Sequence, residues 1–406
     1  MKSVIPLLFG TLTLLPVPQP ATPAPPVFFV HTAAGTAIKG ALTSINDKWT
    51  VILADTPSVR IDGGDFISLR RADRLLPEPP SEPHVIFVNG DRLTGTIGNL
   101  TGEKLGFTAR LGKDQEMTLP LSALSVLWIA DPANVERPDL LRRRLAVEKR
   151  SHDLVWLRNG DFLQGSLLKL EADTVVMEIE RKDVKVERQS VAVIALNTEL
   201  ARALKPQGLH GHLVLSNGTR LTLTTVRADA RTLSGQTVFG AKIETPLEQV
   251  VALDQREGRA VYLSDLKPAA YQYTPFLPGL VFPLMNDANV QGDELRLGGG
   301  CYLKGLGMHS PTRVSYALGG AYRRFEAVVG LDDRTGQQGS ARVRVLLDGK
   351  AADLGLDQEL TARAGPRTLQ VNVAGGKELT LIVESGRFPF VQGQVNWGDA
   401  RLVKKQ

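Results

Sequence analysis

The chain is almost without cysteine: Cys301 is the only one in 406 residues. No intrachain disulfide can form, so stability has to come from packing. Histidine is scarce too, with six residues, and no serine, cysteine or aspartate constellation pairs a nucleophile with a base. Long apolar runs are missing beyond the N-terminus. No later segment can cross a membrane as a helix, which takes roughly 20 apolar residues. Charge of one sign is not in large excess either. The 48 Lys and Arg against 43 Asp and Glu give +5 and a pI of about 9.2. The two signs are interspersed, which helps adhesion to anionic surfaces without forming a block. Glycine and proline are plentiful, at 39 and 24, as suits many turns and linkers. At this length one core does not suffice, and two or more domains are expected.

Residues 1–24 read as a signal peptide. Lys2 supplies the positive end, and Val4–Leu15 is an apolar run followed by the Pro/Ala-rich Pro16–Pro26. The run is too short for a stable membrane anchor. The expected location is therefore secreted, periplasmic or at a bacterial cell surface, with a retained N-terminal tether as the alternative.

A repeat runs from Val27 to Asp254. VIFVNGDRLTG (Val85–Gly95), LVWLRNGDFLQG (Leu154–Gly165), HLVLSNGTRLTL (His212–Leu223) and the fainter VFFVHTAAGTAIKG (Val27–Gly40) align on Gly35, Gly90, Gly160 and Gly218. Their ends align as well: FISL (Phe66–Leu69), VLWI (Val126–Ile129), the stretch around Ile194, and VVAL (Val250–Leu253). In each copy an apolar strand enters Asn-Gly or its equivalent, the pair suited to the positive backbone angles of a tight hairpin, and an alternating strand leaves it. The units are predicted at 27–71, 84–130, 153–197 and 210–254, each a small barrel or curled sheet. They resemble Sm-like barrels, and a four-bladed propeller is the alternative. The stiff spacer Leu75–Pro83, a helical linker at 131–152 and a shorter helical connection at Thr198–Lys205 favour separate modules in a chain.

Candidate chemistry is thin. His210 and His212 would share a strand face but lack further ligands at metal spacing, so they are expected to be exposed. Asp332 and Asp333 are adjacent and point oppositely, a poor acid/base pair. Arg142, Arg143, Arg144, Lys149 and Arg150 are expected to form a solvated helix face, with no interleaved aromatics for nucleic acid.

From Val261 a different all-β pattern begins. Arg342–Leu347 alternates and turns at Asp348-Gly349. Leu369, Val371 and Val373 share a face, and Leu379, Leu381 and Val383 return after Gly375-Gly376. This is a β-sandwich pattern. YLSDLKP (Tyr262–Pro268), YLKGLGMHS (Tyr302–Ser310), VSYALGGAYRRFEAVVGLDD (Val314–Asp333), VLLDGK (Val345–Lys350) and NWGDARLV (Asn396–Val403) occur in order. Residues 260–404 thereby resemble the NPCBM family of carbohydrate-binding modules. The resemblance implies a galactose-binding-like jelly roll, found beside glycoside hydrolases and in bacterial surface proteins. In FVQGQVNW (Phe390–Trp397), Gly393 and Gln394 stand where the family commonly has Asp and His. No cofactor is therefore expected, and a structural Ca²⁺ is expected to add little.

Together these readings give an all-β chain: four small barrel-like repeats, then a jelly-roll sandwich. The expected function is an exported, non-catalytic glycan-binding protein whose partner is a polysaccharide or glycoconjugate, with the repeats as spacers or protein-interaction units. The alternative is a structural cell-envelope protein whose sandwich contacts envelope proteins. Nucleic acid is not an expected partner. The candidate sugar contacts are His309, Asp332, Asp333, Arg387, Gln392 and Gln394, at a loop edge where Phe388 or Phe390 supplies an apolar platform. Trp397 is assigned to packing, and Arg324 with Asp399 to an ion pair.

Overall fold

The computed structural model describes residues 25–133, 135–202, 204–275, 279, 281–336, 338–353, 359–387 and 393–405. Four units of five strands occupy Val27–Arg71, His84–Trp128, Asp153–Ala195 and His210–Arg256. In each, the first four strands meander and the fifth returns to pair with the first, giving the spatial order fourth, third, second, first, fifth.

The hairpin glycines of all four units take positive φ: 90° at Gly35, 87° at Gly90, 94° at Gly160 and 84° at Gly218. The preceding asparagines do not. Phe87 accepts from Gly90 N–H at 2.9 Å, and its own N–H donates to Asp91 at 2.9 Å. The turn is therefore a three-residue loop with a left-handed glycine at its bulge, not the two-residue turn predicted from Asn-Gly. The asparagine has a different task. Oδ1 of Asn89, Asn159 and Asn217 each accepts the backbone N–H two residues on, at 3.1 Å. This side-chain turn is characteristic of Asn and Asp.

The separate-module expectation is corrected by the last strands. Leu124–Trp128 of unit two pairs with Val191–Ala195 of unit three, Leu127 facing Ile194. Val250–Arg256 of unit four pairs with Phe66–Arg71 of unit one, Leu253 facing Leu69. Phe66–Leu69, Leu124–Trp128, Val191–Ala195 and Val250–Leu253 are buried at every position because both faces are covered, and only Ser68 and Ser125 interrupt their apolar runs. One core joins residues from all four units, among them Phe28, Phe87, Leu170 and Leu213.

The linker helix forms at Pro138–Val147, with proline in its first turn. Leu141 and Leu145 pack on Trp128, Trp156 and Val193 of the paired units two and three. Burying each leucine contributes about 1.5–3 kcal/mol. Of the basic residues expected to form a solvated face, Arg144 and Lys149 are exposed, but Arg142 and Arg150 are buried. Arg142 lies over the Trp128 ring at 4.5 Å. Arg150 is buried, donating to the carbonyls of Leu145, Ser125 and Leu196. Between Thr198 and Lys205 the described residues form no helix.

The C-terminal sandwich stacks two antiparallel sheets. One runs Met285–Asn286, Gly305–His309, Gln394–Lys404, Tyr322–Leu331, Arg367–Asn372, with Ala260–Tyr262 also beside Gln394–Lys404. The other runs Ala270–Tyr273, Thr312–Ala317, Glu378–Ser385, Ser340–Leu347, Lys350–Ala351. Phe325, Trp397, Leu381 and Val383 lie in the core between them. Asp348 and Gly349 both take positive φ, 50° and 78°, in the two-residue turn between Leu347 and Lys350.

The sandwich is docked on the repeats. Ala33 and Ile67 of unit one pack with Ala260 and Val403. Arg324 donates to the Ala33 carbonyl at 2.8 Å, and Arg259 pairs with Asp65 at 2.8 Å. The carboxylate beside Arg324 is Glu326, at 2.6 Å, and not Asp399.

Candidate functional site

At one edge of the sandwich, antiparallel pairing sets His309 opposite Gln394. His309 ends a buried strand, and its ring stacks on Phe282 at 4.2 Å while meeting Tyr273 edge-on at 6.3 Å. Its Nδ1 lies 2.7 Å from the Ser310 carbonyl. A carbonyl only accepts, so Nδ1 carries the proton and Nε2 presents a lone pair. Burial lowers the His309 pKa, which favours this neutral ring. Two polar atoms nearby, Ser310 Oγ and Gln394 Oε1, are buried without a hydrogen-bond partner. Tyr271 pins the Phe282 segment, its hydroxyl donating to the Phe282 carbonyl at 3.2 Å and accepting from Leu284 N–H at 3.1 Å. Aromatic faces beside unpaired polar groups are the combination a sugar's C–H face and hydroxyls require. Tyr271, Tyr273 and Phe282 are not among the contacts expected from the sequence. The alternation of Tyr271 and Tyr273 was the available signal, since it puts both on one strand face.

The remaining candidates are placed differently. Asp332 is buried, and its carboxylate accepts from Asn289 Nδ2 at 3.1 Å, Asn396 Nδ2 at 2.5 Å and Arg334 N–H at 2.9 Å. It ties the loop residues Asn289 and Arg334 to the last strand through Asn396. Asp333 clamps the glycine turn, accepting from Gly298 N–H at 2.7 Å and Gly299 N–H at 2.8 Å. Both carboxylates are thus engaged in holding loops. Arg387 is exposed, and its N–H donates to Glu359. Gln392, Phe388 and Phe390 lie outside the described residues. Trp397 is fully buried, its ring 6.5 Å from Phe325.

Residues 259–403 match the NPCBM/NEW2 domain family. The C-terminal third is an NPCBM/NEW2 domain. A protein of Renibacterium salmoninarum named "Putative endo-alpha-N-acetylgalactosaminidase" is 27% identical over 181 residues, 44% of this chain. The chain spans only 12% of that relative's length. Among solved structures, CBM51 from Clostridium perfringens GH95, in complex with methyl-galactose, is 27% identical. It covers 36% of this chain and 99% of its own, with a TM-score of 0.32. The tandem CBM51 modules of a Streptococcus pneumoniae family 98 glycoside hydrolase are 13% identical, covering 80% of this chain and 88% of their own, with a TM-score of 0.33.

Within the NPCBM/NEW2 domain, Glu294 and Cys301 approach Glu78 of the spacer closely enough to suggest a metal. The donor set does not fit one. Arg296 pairs with both Glu78 and Glu294, and burial pushes the Cys301 thiol up to about 11, away from the thiolate a metal needs. No helix among the described residues is long and apolar enough to cross a membrane.

Proposed function

We propose that this protein is an exported, non-catalytic glycan-binding protein whose NPCBM/NEW2 domain contacts sugar at the His309–Gln394 edge. The observation that carries the reading is the membership of residues 259–403 in a carbohydrate-binding domain family. The edge supplies the means, with a neutral imidazole, an orphan amide oxygen and the Phe282 and Tyr273 rings. The non-catalytic part is supported by the employment of Asp332 and Asp333 in loop contacts, which leaves neither of these adjacent carboxylates free for acid/base work. Export rests on the Lys2 and Val4–Leu15 pattern. Docked as they are on the sandwich, the repeats serve as a platform that presents it.

The test is a glycan array with the full chain, then titration of the best glycan into His309→Gln and Gln394→Ala. Thermal melts confirm that each variant is folded. A loss of about tenfold in affinity is expected for each, which corresponds to about 1.4 kcal/mol. An empty array, or two folded variants that bind like wild type, refutes the reading and favours a sandwich that contacts envelope proteins instead.

A further inference from the structure

A cavity of about 940 Å³ lies between the repeat body and the sandwich, and neither His309 nor Gln394 lines it. Its wall includes Arg92, Arg142, Arg143, Arg220 and Arg256, and Glu294 and Lys304 of the sandwich face them. Asp91, Asp139, Glu257, Asp265 and Asp287 also line it, but Asp139 is paired with Arg137, and Asp265 and Asp287 with Lys304. Arg92 and Arg220 are register partners where the second strands of units two and four meet. Their guanidinium groups therefore rise from directly opposed backbone positions, an arrangement that is destabilising for like charges.

Arg220 reaches Glu294 at 3.4 Å, but Glu294 is shared with Arg296 at 3.6 Å. Arg143 leans on the Gly292 carbonyl and on Asp293 at 3.5 Å, and Asp293 also serves Arg137 and Arg334. Arg142 meets Asp131 at 3.4 Å. Arg92 pairs with no carboxylate among the described residues, and its Nη1 is buried without a partner. Its neighbour Asp91 is turned away, accepting from the Thr222 N–H and hydroxyl at 2.8 Å. Arg142 Nε, Arg220 Nε, Arg256 Nη1 and His212 Nδ1, all from residues lining the same cavity, are buried without partners as well. His212 is thus not the exposed strand histidine expected, and burial with nearby cations holds its pKa down to about 3.

Water in the cavity would satisfy N–H groups but would not neutralise the stranded charge. An oxyanion does both, because a guanidinium fork matches paired oxygens in bidentate fashion. We propose that the cavity is a binding site for an oxyanion, a carboxylate or sulfate group, held by Arg92 and Arg220 with Arg142 and Arg143 beside them. The site is formed jointly by the repeats and the sandwich, so it exists only in the docked chain.

The test is calorimetric titration of the full chain with sodium sulfate and, separately, sodium glucuronate, at constant ionic strength. Variants are Arg92→Gln and Arg220→Gln, with the exposed Arg60→Gln as control. Saturable binding of either anion is expected, weakened at least tenfold in Arg92→Gln and Arg220→Gln and unchanged in Arg60→Gln. Arg92→Gln is expected to melt no lower than wild type without anion, since it removes an unpaired buried charge. Glucuronate binding alone points to an acidic saccharide, and sulfate binding alone to the free ion or a sulfate ester. Absence of binding by both anions, or unchanged affinity in the folded variants, overturns the proposal.

Discussion

Replacing Arg150 by methionine removes the pin that holds the linker helix to units two and three. The guanidinium donates to the Leu145 carbonyl at 2.6 Å, the Glu148 carbonyl at 3.2 Å, the Ser125 carbonyl and hydroxyl at 3.1 and 3.0 Å, and the Leu196 carbonyl at 3.1 Å. Leu145 lies in the last turn of the helix, Ser125 lies on the last strand of unit two, and Leu196 follows the last strand of unit three. Hydrogen bonds to a charged donor contribute about 1.5–3 kcal/mol each, and they are not additive around one group. Methionine keeps most of the apolar stem, so packing survives. The net loss is about 3–5 kcal/mol by this reckoning. At about 2–4 °C per kcal/mol for a body of this size, the melting temperature falls by roughly 6–20 °C. Scanning calorimetry of the full chain measures it, with Arg144→Met as control, because Arg144 is exposed and, among the described residues, its ion pair is with Glu148 along the helix. The control is expected to stay within about 0.5 kcal/mol of wild type. If Arg150→Met melts within 2 °C of wild type, by roughly the same conversion, the pin contributes nothing and the reasoning fails.

Two further outcomes follow from residues already described. His84 is fully buried and held near 3 mainly by desolvation, against an unfolded value of 6.5. The unfolded chain therefore takes a proton below 6.5 that the fold refuses, so stability is complete above that pH and declines toward 3. The decline is at most about 1.4 kcal/mol per pH unit, and urea midpoints at two pH values should differ less in His84→Gln; an equal difference refutes it. Ala at Gly90 meets open space and is expected to cost about 1–2 kcal/mol for the left-handed backbone alone. Ala at Gly218 also pushes a Cβ to 2.9 Å from the Glu78 carbonyl, so its urea midpoint should fall further; equal losses would show that the spacer yields freely.

How much of this was legible in the sequence depends on the range of the forces involved. Hairpin glycines, alternating strands and the Pro138 helix are local, and their residues carry the signal. The turn class was misread because Asn89 uses its side chain where the backbone was expected to bend. Which last strand pairs with which has no local code, since FISL, VLWI and VVAL are all short, mainly apolar runs. Asp332 looked like a loop carboxylate because its donors, Asn289 and Asn396, lie 43 and 64 residues away. The linker arginines looked solvated because a helical wheel does not reveal the Trp128 ring or the Leu196 carbonyl that receives them. The aromatic residues at the sandwich edge went unselected because Phe282, three residues before the strand Met285–Asn286, meets His309 only in the folded sandwich.

The return of unit four to unit one governs the order in which the chain can mature. Arg70 and Asp254, paired across the shared strands, are 184 residues apart. During synthesis, unit one emerges with Phe66–Arg71 as a bare apolar edge, and it waits through two later units for its cover. Unit three meets its partner as soon as it is made. A bare edge is a template for pairing with a second chain, and contacts this distant in sequence form slowly. The N-terminal unit is thus the part of a nascent molecule in most need of protection. Any truncation between Arg71 and Val250 leaves that edge permanently uncovered.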